Sequence, residues 1–274
     1  MIYIGPAGIP LTAKDKSTIG GLRRVAELGL NAMEIEFVRG VAMGREMAKK
    51  VGEEARDLGI RLSVHCPYFI NLCSTEKPKL EASKRRILDS ADRAHFMGAD
   101  IVVFHPGFYG KLPPREAMKK ASEACRDLRE RMEKAGMGEV RLGLETTGKQ
   151  NTFGTLEEIL EVCREVKGCE PVVDWAHLYA RSAGEVKWSS IFPSLRGLRH
   201  LHTHFTGVEF KKVGPGKGNE RRHLEITSKS PPFEPLGEEI LRSKMDVTII
   251  SESPMLERDA LLMKEFFEEK GLSF

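Results

Sequence analysis

Two hydrophobic periods alternate along this chain. Short apolar runs rich in Val, Ile and Leu end in polar residues. Longer stretches follow, in which apolar residues recur every three or four positions. The short runs predict strands at 2–5, 32–38, 61–67, 101–106, 141–147, 171–177, 200–206 and 247–253. The longer ones predict helices near 17–29, 44–59, 77–98, 114–136, 155–166, 233–244 and 257–271. Thr155-Leu156-Glu157-Glu158 has the form of a capping box. Several helical stretches close on glycine, which tolerates the left-handed backbone of a helix end. The stretch 186–197 does not sustain a helical period. Residues 207–232 follow neither period and predict a long irregular loop. So many strand–helix alternations predict a parallel sheet, and eight strands predict an α/β fold of the (β/α)8 TIM-barrel kind, one domain over 1–274. An open doubly wound sheet is the competing architecture. The first strand–helix junction, GPAGIPL (5–11), lacks the GxGxxG of a dinucleotide-binding sheet.

Composition narrows the class. With 41% hydrophobic and 30% charged residues, 274 residues bury a large core rather than remain disordered. A net charge of +3 permits a polyanionic partner without requiring one. No apolar run is long enough to span a membrane, and the first residues lack the basic and apolar regions of a secretory leader. Cys66, Cys73, Cys125, Cys163 and Cys169 form no CxxC pair, so reduced thiols and a cytoplasmic location are expected.

The chemistry-bearing residues collect at strand ends. His65 ends the third strand candidate, His105 the fourth and Glu145 the fifth. The sixth carries Asp174 and His177, the seventh His200, His202 and His204, and the eighth ends in Glu252. In a barrel all strand C-termini converge on one mouth. Imidazoles and carboxylates gathered there make a zinc-type or manganese-type site. Glu145, set in RLGLETT, would be costly to bury alone, and a cation removes that cost. His200, His202 and His204 share one strand face. Their spacing leaves open which of them binds metal. Glu34 and Glu36 also share a face, either lining the mouth or forming a supporting charge network.

Six segments carry a resemblance: HCPYFINL (65–72), FHPG (104–107), LETTGKQNTFG (144–154), VVDWAH (172–177), LHTHFTG (201–207) and SESP (251–254). Together they are similar to the metal-binding segments of endonuclease IV, the zinc-dependent apurinic/apyrimidinic endonucleases within the xylose-isomerase-like TIM-barrel superfamily. The resemblance covers most of the chain. It implies two or three Zn2+ ions, with Mn2+ as an alternative, and cleavage of DNA 5′ to abasic sites. By family role, His65, His105 and Glu145 would hold one ion. Glu145 would bridge to a second, held with Asp174, His202 and Glu252, and Glu145 and Glu252 would serve catalysis. His177 and His223 would hold a third, with Glu220 as its carboxylate. Tyr68 and Asn71 would face DNA, and Lys211, Lys212, Lys217, Arg221 and Arg222 would contact phosphates. The implied partner is DNA with abasic sites. No membrane and no protein partner is implied.

One departure bears on the third ion. Glu220 and His223 lie three residues apart in ERRH (220–223), which in a regular strand puts them on opposite faces. The third ion is therefore expected to be held least tightly. Two other functions compete. A single-metal sugar isomerase or epimerase would use the same Glu145, Asp174, His202 and Glu252. A non-catalytic metal-stabilised barrel would bind DNA or a partner. The additional His65, His105, His177 and His223 discriminate, because extra imidazoles imply extra metals.

Overall fold

The computed structural model describes residues 1–274, and its elements follow the predicted alternation. The first half runs β1 (Ile2–Pro6), α1 (Thr18–Glu27), β2 (Ala32–Glu36), α2 (Arg45–Asp57), β3 (Arg61–His65), α3 (Lys77–Met97), β4 (Ile101–Phe104), β5 (Gly107–Phe108) and α4 (Pro114–Lys134). Next come β6 (Arg141–Glu145), β7 (Thr152–Phe153), α5 (Leu156–Glu165), β8 (Cys169–Asp174), α6 (Trp175–Arg181) and α7 (Trp188–Ile191). The chain ends with β9 (His200–Phe205), β10 (Gly207–Gly214), β11 (Lys217–Leu224), α8 (Glu234–Ser243), β12 (Asp246–Ser251) and α9 (Glu257–Glu269).

Eight parallel strands form one sheet in the order β1-β12-β9-β8-β6-β4-β3-β2. The ends of that order meet through a parallel bridge between Ala7 and Glu34. Gly8 N–H donates to the Glu34 carbonyl at 2.9 Å, and Asn31 N–H to the Ile4 carbonyl at 3.2 Å. The sheet is thus a nearly closed (β/α)8 barrel. Gly5 permits this seam, since a Cβ there would come within 1.6 Å of the Ala32 carbonyl oxygen.

Strand alternation divides the core. Val102 and Phe104 join the large cluster between strands and helices, whereas Ile101, Val103 and Val172 form a small apolar cluster of their own. The latter belong to the opposite strand face, inside the barrel. The capping box at Thr155 and Glu158 forms as expected. No helix is long and apolar enough to cross a membrane.

Three local expectations are corrected. The stretch 207–232 is largely an antiparallel hairpin, β10–β11, joined through Pro215 and Gly216. Its charged residues hide a strand pattern that the Pro-Gly turn signals. The sixth strand stops at Asp174, which caps α6 by accepting from His177 N–H at 2.6 Å, so His177 lies on a helix rather than a strand. The stretch 186–197 holds α7 and a 3₁₀ turn at Phe192–Leu195.

Candidate metal centre

The barrel mouth opens into a cavity of about 510 Å³, lined among others by Glu36, His65, Tyr68, His105, His177 and Glu252. At its floor is Glu145, fully buried at the end of β6. Four imidazole nitrogens approach its carboxylate. His105 Nε2 is 3.0 Å away, His65 Nε2 3.2 Å, His177 Nδ1 3.3 Å and His204 Nδ1 3.3 Å.

Four donor groups emerge, each with ligand atoms within 4.8 Å of one another: His65, His105 and Glu145; Glu145, Asp174, His204 and Glu252; His177, Glu220 and His223; and, deeper in the barrel, Glu34, His202 and His204. Glu145 belongs to two of them. Glu145 Oε1, Asp174 Oδ2 and His204 Nδ1 are buried without a hydrogen-bond partner. Buried acceptors left unpaired are costly. Bare carboxylate oxygens beside imidazole nitrogens suit a divalent cation, so the residues fit the metal that the donor types imply.

Backbone carbonyls orient several of these rings. His65 Nδ1 is 2.8 Å from the Cys66 carbonyl, His177 Nδ1 2.8 Å from that of Thr146, and His223 Nδ1 3.1 Å from that of Glu252. A carbonyl oxygen only accepts, so each Nδ1 carries a proton, and Nε2 is the nitrogen left to offer a lone pair to a metal once the ring is neutral. The Nε2 atoms of His177 and His223 reach Glu220 at 3.3 and 3.5 Å.

The charges are balanced internally. Burial raises the Glu145 carboxyl, but the His105 and His204 charges and further hydrogen bonds outweigh it and hold the group well below the carboxylate range. Burial lowers His65, but Glu36 and Glu145 push it up to about 10. His223 is lowered by burial and raised to about 9 by Glu220 and Glu252. Asp174 is pushed up to about 6, by burial first. Protons on the imidazoles thus occupy the electrostatic role that a cation would take.

Most predicted ligands converge: His65, His105, Glu145, Asp174, His177, Glu220, His223 and Glu252. His202 joins only the deeper group, with Glu34 and His204. In the β8–β9 register Asp174 pairs with His204, while His202 pairs with Val172 one pleat deeper. His202 Nε2 instead meets Glu34 at 3.0 Å. His204 takes the place expected for His202, and only the alternation of the three β9 histidines hinted at it. Glu220 and His223 also depart from expectation, because they do share a face. The β10–β11 register shifts between Glu209 and Phe210, pairing Glu209 with Arg222 and Phe210 with Glu220. Arg221 is therefore a bulge residue, and the bulge turns Glu220 back toward His177. Gly148 leaves room for this group, since a Cβ there would sit 2.7 Å from Glu220 Cβ and 2.9 Å from His177 Cδ2.

Around the rim, Tyr68 is 59% exposed. Asn71 is not free for DNA through its side-chain oxygen, which accepts from Cys73 N–H at 3.1 Å and Phe108 N–H at 3.2 Å and ties two loops together. Lys211, Lys212 and Lys217 stand exposed on the hairpin. Arg221 and Arg222 pair with Glu209 at 3.4 and 2.6 Å, which tempers their charge. Glu34 and Glu36, read together from sequence, separate: Glu34 lies inside the barrel and Glu36 lines the mouth.

A family model described as xylose isomerase-like TIM barrel matches residues 22–269. The chain is 34% identical over 280 residues to an uncharacterized protein of Methanocaldococcus jannaschii, covering 98% of each. Endonuclease IV from Thermus thermophilus superposes with a TM-score of 0.70 at 21% identity, over 96% of this chain and 99% of that one. D-psicose 3-epimerase from Clostridium cellulolyticum does so with a TM-score of 0.68 at 16% identity, over 96% and 98%. These two structural likenesses show the fold.

Proposed function

We propose, for a chain that belongs to the xylose isomerase-like TIM barrel family, a metal-dependent phosphodiester hydrolase that cuts DNA 5′ to abasic sites. The observation that carries this reading is the set of three donor groups around one mouth, two of them sharing Glu145. A single-metal enzyme needs only one such group. The resemblance of the six sequence segments to endonuclease IV supports the same reading. When bound, zinc or manganese supplies Lewis acidity toward a phosphoryl oxygen.

The chain's own residues do the rest. The Lys211, Lys212 and Lys217 side chains neutralise backbone phosphates beside the mouth. Tyr68, exposed at the lip, offers an aromatic face to a nucleotide swung out of the stack. The backbone carbonyls of Cys66, Thr146 and Glu252 hold three imidazoles in one tautomer, so their lone pairs need no reorientation. Glu252 lines the cavity and is placed to hold a proton from an attacking water.

The test is a duplex carrying a single abasic analogue. Nicking 5′ to the analogue with Zn2+ or Mn2+, abolished by chelation, is the expected result. Replacing Lys211, Lys212 and Lys217 by Glu should weaken binding and flatten its salt dependence by roughly one log–log unit per lost phosphate contact.

A second reading is a sugar isomerase or epimerase. Glu145, Asp174, His204 and Glu252 already make a complete four-donor set. Glu36, pushed up to about 8 chiefly by burial, faces the same cavity as a carboxyl group suited to a polyol. Ketose turnover without nicking by the metal-loaded protein would decide for this reading.

A further inference from the structure

His204 is oriented differently from the other imidazoles of the site. Backbone carbonyls hold Nδ1–H of His65, His177 and His223 and leave their Nε2 atoms to the site. His204 is turned round. Its Nδ1 lies 3.1 Å from Glu252 Oε1 and 3.3 Å from Glu145 Oε1, and its Nε2 faces the barrel interior, 2.8 Å from Glu34 Oε1. Inside a parallel barrel the backbone carbonyls are committed to neighbouring strands. An imidazole rising from the interior face of β9 is therefore oriented by neighbouring side chains rather than by carbonyls.

Glu34 is the side chain that faces Nε2 of His204, at 2.8 Å but outside hydrogen-bond geometry, so it acts on the ring through its charge. It rises from β2 and is fully buried. Its Oε2 accepts from Ser63 Oγ at 2.7 Å and from His202 Nε2 at 3.0 Å, which leaves Oε1 toward His204. Ser63 is level with Glu34 in the β2–β3 register, so the pairing of two strands sets this anchor. The arrangement is a column of polar side chains beneath the mouth, Ser63 and His202 holding Glu34, and Glu34 facing His204.

We propose that Glu34 is a positioning residue. Its charge behind Nε2 orients the His204 ring so that Nδ1 is presented to the ion shared with Glu145, Asp174 and Glu252. The proposal rests on the reading that these four residues hold an ion. It also gives His202 its part, as a clamp on Glu34 rather than a ligand.

The experiment is stepwise titration of the metal-free full chain with Zn2+ against a chromophoric chelator, together with the visible spectrum of the Co2+-loaded protein. Glu34→Gln keeps the volume of the side chain and removes its charge. It should weaken one ion by about 10–100-fold, leave the other equivalents unchanged, and shift the Co2+ d–d bands. A residue that only supports the fold would leave the spectrum of the loaded protein alone. Should Glu34→Gln fail to fold, Ser63→Ala and His202→Gln loosen Glu34 without removing its charge, and each should weaken the same ion severalfold. Full wild-type loading, with every folded variant within twofold of wild type and an unshifted spectrum, overturns the proposal alone. A wild-type protein that takes up no ion overturns it together with the reading of the site.

Discussion

Glu145→Gln removes one charge from the floor of the site, and its consequence can be worked from the contacts. The carboxylate is fully buried, with imidazole nitrogens of His65, His105, His177 and His204 at 3.0–3.3 Å. Removing one partner of a buried ion pair costs about 3–5 kcal/mol. Here the imidazoles can release protons when the carboxylate is lost, which places the effect near the lower end. For a domain of this size each kcal/mol moves Tm by about 2–4 °C, so the metal-free variant should melt about 6–12 °C lower. Metal content gives the second measure. Glu145 belongs to the His65/His105 group and to the Asp174/His204/Glu252 group, but not to the His177/Glu220/His223 group. The variant should lose the first two equivalents and keep the third. Calorimetry of the metal-free proteins and elemental analysis after loading read both quantities. A variant that melts within about 2 °C of the parent and retains every ion would refute the placement of Glu145 at the centre.

The same geometry fixes two further outcomes. In the metal-free protein His65 and His223 are raised from 6.5 to about 10 and about 9, so below about pH 6.5 both the folded and unfolded states hold these protons and the stabilisation is complete. Above that pH only the folded state holds them, and stability should fall by about 1.4 kcal/mol per pH unit for each group until the folded pKa is passed; a Tm constant from pH 6.5 to 9 contradicts this, and bound metal should flatten the slope. The His177/Glu220/His223 group shares no ligand with the two Glu145 groups, and two of its three members are partly exposed, so stepwise chelation should remove that ion first, and His223→Ala should abolish only the labile equivalent; simultaneous loss of all ions, unaltered by the substitution, would show the groups to be one.

Much of this protein can be read along the chain, because its information there is local. A strand that ends in His65 or Glu145 and a helix that begins at a capping box are decided by residues within a few positions of one another. Repetition of that unit then implies a barrel, and a barrel implies that the strand ends meet. Hence the sequence alone gathers His65, His105, Glu145, Asp174 and Glu252. Depth within the barrel is a different matter. His200, His202 and His204 have the same alternation and the same face, and only the pairing of Asp174 with His204 decides which ring stands level with Glu145. Glu34 and Glu36 pose the same ambiguity on β2, resolved when one is anchored by Ser63 and His202 while the other reaches the cavity. Glu220 and His223 needed the bulge at Arg221, an irregularity that exists only because β11 pairs with β10. Sequence periodicity reports which face a side chain takes, with a period of two. It carries no information on which pleat of one strand lies beside which pleat of the next, and that register is set by long-range hydrogen bonding across the closed sheet.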